Sequence, residues 1–161
     1  MGLNTLDVLT RSCLGLLFVF LLVYAVGCNF GGFPDGIGKN RGKILYEVSC
    51  GACHQPDGEG KEGVASPLAG SEWVTGSERR LLRISLDGVR GPIEVKGKRY
   101  QLEMPALRHV YGDEDMAAIL TYIRGAWGNS ASAITADSVG KVRAETAQRG
   151  DSWTAEELGA P

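Results

Sequence analysis

The sequence predicts a mostly α-helical fold of three to five helices with a small β-hairpin insertion, and three observations carry that expectation. Met116, Ala117, Ile119, Leu120 and Ile123 recur at three and four, which predicts a helix from about Asp113 to Gly125 with Asp113 as N-cap. Ile44, Leu45 and Val48 keep helical spacing across residues 39–49, with no strand-like alternation. The stretch "IEVKGKRY" reads as a short hairpin turning at Lys96-Gly97. A chain of 161 residues is one domain's worth.

The N-terminal segment stands apart. After a polar start ending in Arg11, "SCLGLLFVFLLVYAVG" is uncharged and apolar, shorter than the roughly 20 residues of a spanning helix and suited to an export signal. It ends in "AVGC", which resembles the lipobox of bacterial lipoproteins and makes Cys28 the candidate for lipidation, although leucine is usual where Ala25 stands. Ordinary cleavage and an uncleaved anchor are the alternatives. Residues 1–27 are therefore read as an export signal and 28–38, rich in Gly and Pro, as a flexible tether. The folded part is expected in the periplasm or otherwise outside the cytoplasmic membrane, anchored to it through an N-terminal lipid or the signal. A net charge of -2, with no basic stripe, excludes nucleic acid and an anionic lipid surface as electrostatic partners.

The chemistry is concentrated in "CGACHQPDGEG". Of the four cysteines, only Cys50 and Cys53 belong to the folded part. Structural zinc needs four protein ligands, and the domain offers these two thiols with His54 and His109. A thioredoxin-like pair needs a strand before the motif, where helical spacing stands instead. C-x-x-C-H is the attachment signal of c-type haem: two thiols add to the vinyl groups as thioethers, and the adjacent histidine reaches the iron. Cys50 and Cys53 are thus the expected thioether residues and His54 the expected axial ligand of one covalently bound haem c.

A second axial ligand is sought downstream. Met104 precedes Pro105, which restricts it to an extended conformation suited to a loop strapped across the haem face. Met116 falls on the helical pattern and is expected in the core. His109 is read as a surface or propionate-side histidine.

The blocks "GKILYEVSCGACHQPDGEG", "SPLAGSEWV", "GPIEVKGKRYQLEMPAL" and "DMAAILTYIRGAWGN" resemble, in order, a class I monohaem c-type cytochrome over residues 39–129. The likeness extends to cytochrome domains associated with membrane-bound quinoprotein-type dehydrogenases or respiratory oxidases. It implies the cytochrome c fold, a close crossing of the first and last core helices at Gly42 and Tyr46, and a Pro67 carbonyl accepting the other ring N–H of His54. It also implies tight turns at Gly58, Gly60 and Gly63 beside the haem.

Ser77 is expected to cap a helix "ERRLLRISLD" ending at Gly88, its arginines forming a solvated face from which Arg83 could meet a propionate. Trp73, Tyr100 and Trp127 are core aromatics or pocket lining. Residues 130–161 form a C-terminal extension with one or two short helices, Ala136–Ala147 and a second with Thr154 and Glu157 at capping-box spacing. The function expected is one-electron transfer between redox proteins, with a dehydrogenase as donor and an oxidase or soluble cytochrome as acceptor. A cytochrome subunit of a dehydrogenase complex is the alternative, and a haem enzyme or gas sensor with a labile Met104 a more distant one.

Overall fold

The computed structural model describes residues 35–161 apart from 102 and 160; the export segment, Cys28 and the tether as far as residue 34 lie outside the described residues. The described helices are α1 (Asp35–Ser49), α2 (Gly51–His54), α3 (Glu72–Thr75), α4 (Glu78–Asp87), α5 (Asp113–Gly125), α6 (Ala136–Glu145) and α7 (Ala155–Leu158). The strands are β1 (Val89–Arg90), β2 (Ile93–Val95), β3 (Lys98–Tyr100), β4 (Glu103–Met104) and β5 (Trp153–Thr154). Five of these helices, α1 to α5, form the part for which three to five were expected, and α6 and α7 are the one or two short helices expected of residues 130–161. No described helix is long and apolar enough to cross a membrane.

Helix α1 begins at Asp35, so the last residues assigned to the tether are helical. Gly36 and Gly38 weaken a helix without breaking it. At α5 the cap is Gly112 rather than Asp113. The Asp113 carboxylate instead accepts from Arg143 Nε at 2.7 Å. Helix α4 follows its sequence pattern: Ser77 Oγ accepts from the Arg80 amide, Leu81, Leu82, Ile84 and Leu86 are buried, and Gly88 ends the helix at φ 81°.

The core is organised where α1 crosses α5. A Cβ on Gly42 would lie 2.2 Å from the Ala118 carbonyl oxygen and 3.0 Å from Tyr122 Cβ, so only glycine admits this approach. One turn on, the fully buried Tyr46 ring packs 5.4 Å from Tyr122 and 5.0 Å from Trp127, centroid to centroid. Such tilted aromatic contacts add about 0.5–1.5 kcal/mol each beyond area burial. The Tyr46 hydroxyl donates to the Gln55 carbonyl at 2.6 Å, and burial holds its phenol well above the ordinary range, so it remains a donor. Met116 is fully buried in this core, and α6 closes it against α4 and α5 through Val139 and Val142.

Two small sheets complete the fold. β2 and β3 pair antiparallel, Ile93 opposite Tyr100, around Lys96 and Gly97 at φ 52° and 71°, the paired positive values of a type I′ turn. β1 lies between β4, antiparallel, and β5, parallel. Its two-residue strands show no alternation by which a sequence could announce them.

A methyl group at Gly42 must push α1 and α5 apart. Gly42→Ala is expected to lower unfolding stability by about 3 kcal/mol, in the range of overpacked cores. Denaturant titration of the haem-loaded protein followed by far-ultraviolet circular dichroism measures it.

Candidate haem site

Helix α1 delivers the motif. Its end and the start of α2 are continuous in hydrogen bonding: the Cys50 amide donates to the Tyr46 carbonyl at 2.8 Å, and the Cys50 carbonyl accepts from Cys53 N at 3.1 Å and His54 N at 2.8 Å. This single turn presents Cys50, Cys53 and His54 to one cleft, which encloses about 1010 Å³ with its open mouth included. The walls are apolar, among them Val74, Leu81, Ile84, Val89, Val95 and Leu107. Neither cysteine is in a disulfide, so both are available for thioether formation. Before attachment, burial, and then the neighbouring Cys53, push the Cys50 thiol up to about 11.

His54 Nδ1 lies 2.9 Å from the Ser66 carbonyl oxygen, an acceptor only, so Nδ1 carries the proton and Nε2 keeps its lone pair. Burial lowers the imidazole pKa, against the opposing effect of the Ser66 bond, and the neutral form is a ligand. The acceptor is the carbonyl before Pro67 and not that of Pro67, as the family pattern implied. Pro67 is buried and lines the cleft, while its lack of an amide hydrogen leaves the Ser66–Pro67 peptide with only its carbonyl to engage.

The loop that carries Ser66 is held at several points. The Gly60 amide donates to the His54 carbonyl at 3.0 Å, and the Gly58 carbonyl accepts from Leu68 N at 2.7 Å and Ala69 N at 3.0 Å. Gly60 has φ 71°, and a Cβ there would lie 2.5 Å from the Ala65 carbonyl oxygen. Gly58 is tight against Trp127, where a Cβ would meet the ring at 2.4 Å, and Gly63 faces open space. Asn129 completes the hold: its Nδ2 donates to the carbonyls of Leu68 at 3.1 Å and Ile123 at 2.8 Å, and its Oδ1 accepts from Gly70 N at 2.8 Å.

Met104 reaches the same cleft from β4, opposite Val89 of β1, and is half-buried. The chain then returns along α4, with Leu107 N donating to Ser85 O and Arg108 N to Leu86 O, both at 3.1 Å. His109 is exposed and does not line the cleft, whereas Trp73 and Tyr100 do. The Trp73 indole N–H is engaged by the Glu94 carbonyl at 2.7 Å and that of Trp127 by the Pro56 carbonyl at 3.0 Å, so both indole N–H groups already have partners. Of the α4 arginines, Arg79 is exposed as expected, whereas Arg80 and Arg83 are less solvated. Arg80 lies 4.9 Å over Trp73 and Arg83 4.9 Å over Trp153, outside the cleft lining.

Sequence reasoning missed three buried polar groups. Arg124 donates to the carbonyls of Val74 at 2.7 Å, Gly76 at 3.3 Å and Ser132 at 2.7 Å, tying α3 to α5. Asn129 was seen only as the end of a motif. Asp87 accepts from Arg108 Nε at 2.7 Å and Trp153 Nε1 at 3.1 Å. An arginine on an apolar helix face and an aspartate at a helix end were the available signals.

Two thiols, an imidazole with its far nitrogen free and a thioether, set in apolar walls, fit a covalently held haem. Among the described residues, no group of three or more His, Cys, Asp or Glu side chains converges as a metal site. The site defines a helical c-type haem protein.

Comparison agrees: residues 40–127 match the family model described as Cytochrome c, more than half the chain, and the protein belongs to the cytochrome c family. It is 37% identical over 113 residues to cytochrome c-552 of Thermus thermophilus, covering 65% of this chain and 85% of that one. It is 34% identical over 114 residues to the gluconate 2-dehydrogenase cytochrome c subunit of Pantoea cypripedii, covering 67% of this chain and 25% of that subunit. It is also 34% identical over 111 residues to the fructose dehydrogenase cytochrome subunit of Gluconobacter japonicus, covering 64% and 22%. The protein is therefore an electron carrier with covalently bound haem c, and Cys50 and Cys53 are the cysteines of its attachment motif.

Asn129→Ala removes the buried side-chain bond to the Ile123 carbonyl and the partly buried bonds to the Leu68 carbonyl and the Gly70 amide, and is expected to cost about 2–3 kcal/mol. Faster hydrogen exchange at the Gly70 amide, beyond that at Leu68, is the local signature by nuclear magnetic resonance.

Proposed function

We infer that this cytochrome c is an extracytoplasmic one-electron carrier, tethered to the membrane by its N-terminal segment, with His54 and Met104 as axial ligands. The observation carrying this reading is the single apolar cleft to which α2 brings His54 and β4 brings Met104. When bound, the haem supplies a reversible ferric/ferrous couple. His54 is oriented by the Ser66 carbonyl, which raises its basicity as a donor. Met104 contributes a weaker thioether donor, a combination that raises the reduction potential and suits the oxidising side of a respiratory chain. The apolar walls exclude water and keep the local dielectric low. The open mouth, beside the exposed Cys53, gives a docked partner access to the cofactor edge.

Tethering rests on the apolar run from Ser12 to Gly27 and on Cys28. The expected partners are a dehydrogenase as donor and an oxidase or soluble cytochrome as acceptor. The dehydrogenase subunits among the relatives favour a second reading, a fixed subunit of such a complex. This chain corresponds to only about a quarter of those proteins. Stable co-purification with a larger flavin or quinone enzyme would move the assignment to that reading.

Protein matured with haem attached should show a low-spin spectrum with a weak near-infrared sulfur-to-iron band that disappears in Met104→Ala. A band unchanged in the variant would remove Met104 as ligand. Mass spectrometry of the mature N-terminus should find a diacylglyceryl-modified Cys28 as its first residue. An unmodified peptide running upstream of Cys28 would remove lipidation.

A further inference from the structure

The family match ends at residue 127, yet the chain beyond it reaches back to the segment that carries Met104. β5 pairs with β1 on the edge opposite β4, so Val89 has Met104 on one side and Trp153 on the other. Ser152 Oγ donates to Glu103 Oε1 at 2.7 Å, beside Met104. Arg108 donates to Thr146 Oγ1 at 2.6 Å, and Arg143 donates to the carbonyls of Arg108 and, at 2.9 Å, Tyr111. The segment from Glu103 to Tyr111 is thus held from outside by residues 143–154.

Trp153 is the anchor of that hold. Two guanidinium groups lie over its ring, Arg149 at 3.5 Å and Arg83 at 4.9 Å from the centroid, where the π system attracts positive charge. The Arg83 Nε is buried with no hydrogen-bond partner, so the ring is a principal neighbour of that charge. The indole N–H donates to Asp87, whose other carboxylate oxygen takes Arg108. Asp87 is only 5% exposed, and a buried carboxylate losing one of two donors is strongly disfavoured. One indole therefore joins α4, the returning chain at Arg108 and the C-terminal strand.

The geometry points to Trp153 as a positioning residue for Met104: the C-terminal extension clamps β4 against β1 and resists withdrawal of the thioether from the cleft. The inference rests on Met104 being the axial ligand. Trp153 itself does not line the cleft, so it acts only through β1, Asp87 and Arg108.

The test is displacement of Met104 by added imidazole in the haem-loaded full chain, read from loss of the near-infrared band, with far-ultraviolet circular dichroism recorded on the same samples. Trp153→Ala should bind imidazole about tenfold more tightly, a typical single-contact loss, while the helices stay folded. Trp153→Phe, which keeps a ring beside the two arginines and loses the N–H to Asp87, should give an intermediate affinity. Amides of Leu107 and Arg108 should exchange faster in both variants. Ile119→Ala, a core change away from the cleft lining that lowers global stability, should leave imidazole affinity at the wild-type value.

Unchanged affinity in a folded Trp153→Ala would overturn the inference, as would an equal gain in Ile119→Ala. If Trp153→Ala does not fold, Trp153→Phe and Ser152→Ala carry the test, and wild-type affinity in both would overturn it. Failure of the ligand assignment is separate: it appears as a wild-type band that Met104→Ala does not abolish.

Discussion

The close crossing of α1 and α5 is the constraint on which the rest of the structure depends. With the Gly42 backbone set against the Ala118 carbonyl, the two helices lock as rigid rods, and α1 can end in only one place. That place is where Cys50 begins the single turn that presents both thiols and the imidazole. The Tyr46–Tyr122–Trp127 cluster then extends the contact to the end of α5, and Trp127 in turn fills the space that Gly58 leaves open. Core packing and ligand presentation are therefore linked, because the helix that leads into the motif is the one that crosses α5 at Gly42 and Tyr46.

A second layer of order comes from buried polar groups. Asp87, Arg124 and Asn129 each satisfy backbone or side-chain partners from segments far apart in sequence. Their energetic value lies less in the bonds made than in the penalty for any alternative packing that would leave them unpaired. They specify where loops without regular structure must run. The Ser66 carbonyl meets His54 because Asn129 and Gly60 leave that loop little freedom.

Much of this was legible in the sequence, and the reasons are local. Periodicity defines α5 although its cap is one residue earlier than expected, Ser77 caps α4, the hairpin turn follows from Lys96-Gly97, and Thr154 with Glu157 does form a capping box. Met116 lies in the core because it falls on the helical stripe, whereas Met104 lies outside any stripe and before a proline. The three-stranded sheet was not legible, since two-residue strands have no alternation and their pairing is non-local. For the same reason the role of the C-terminal extension was invisible: Thr146, Ser152 and Trp153 gain meaning only from neighbours dozens of residues away. The choice of Ser66 over Pro67 is a matter of one peptide unit, finer than a motif resolves.

Arg124 has an electrostatic consequence for the cofactor. The residue is 4% exposed, and its guanidinium donates to the carbonyl of Val74 on the cleft wall and forms no ion pair among the described residues. Carbonyl dipoles solvate this charge but do not cancel its monopole, whose field is weakly screened in a low-dielectric interior. Oxidation adds one more positive charge to the same interior. The guanidinium opposes that addition and favours the electron-rich state, so a residue whose contacts are all structural also acts as a fixed bias on the carrier's driving force.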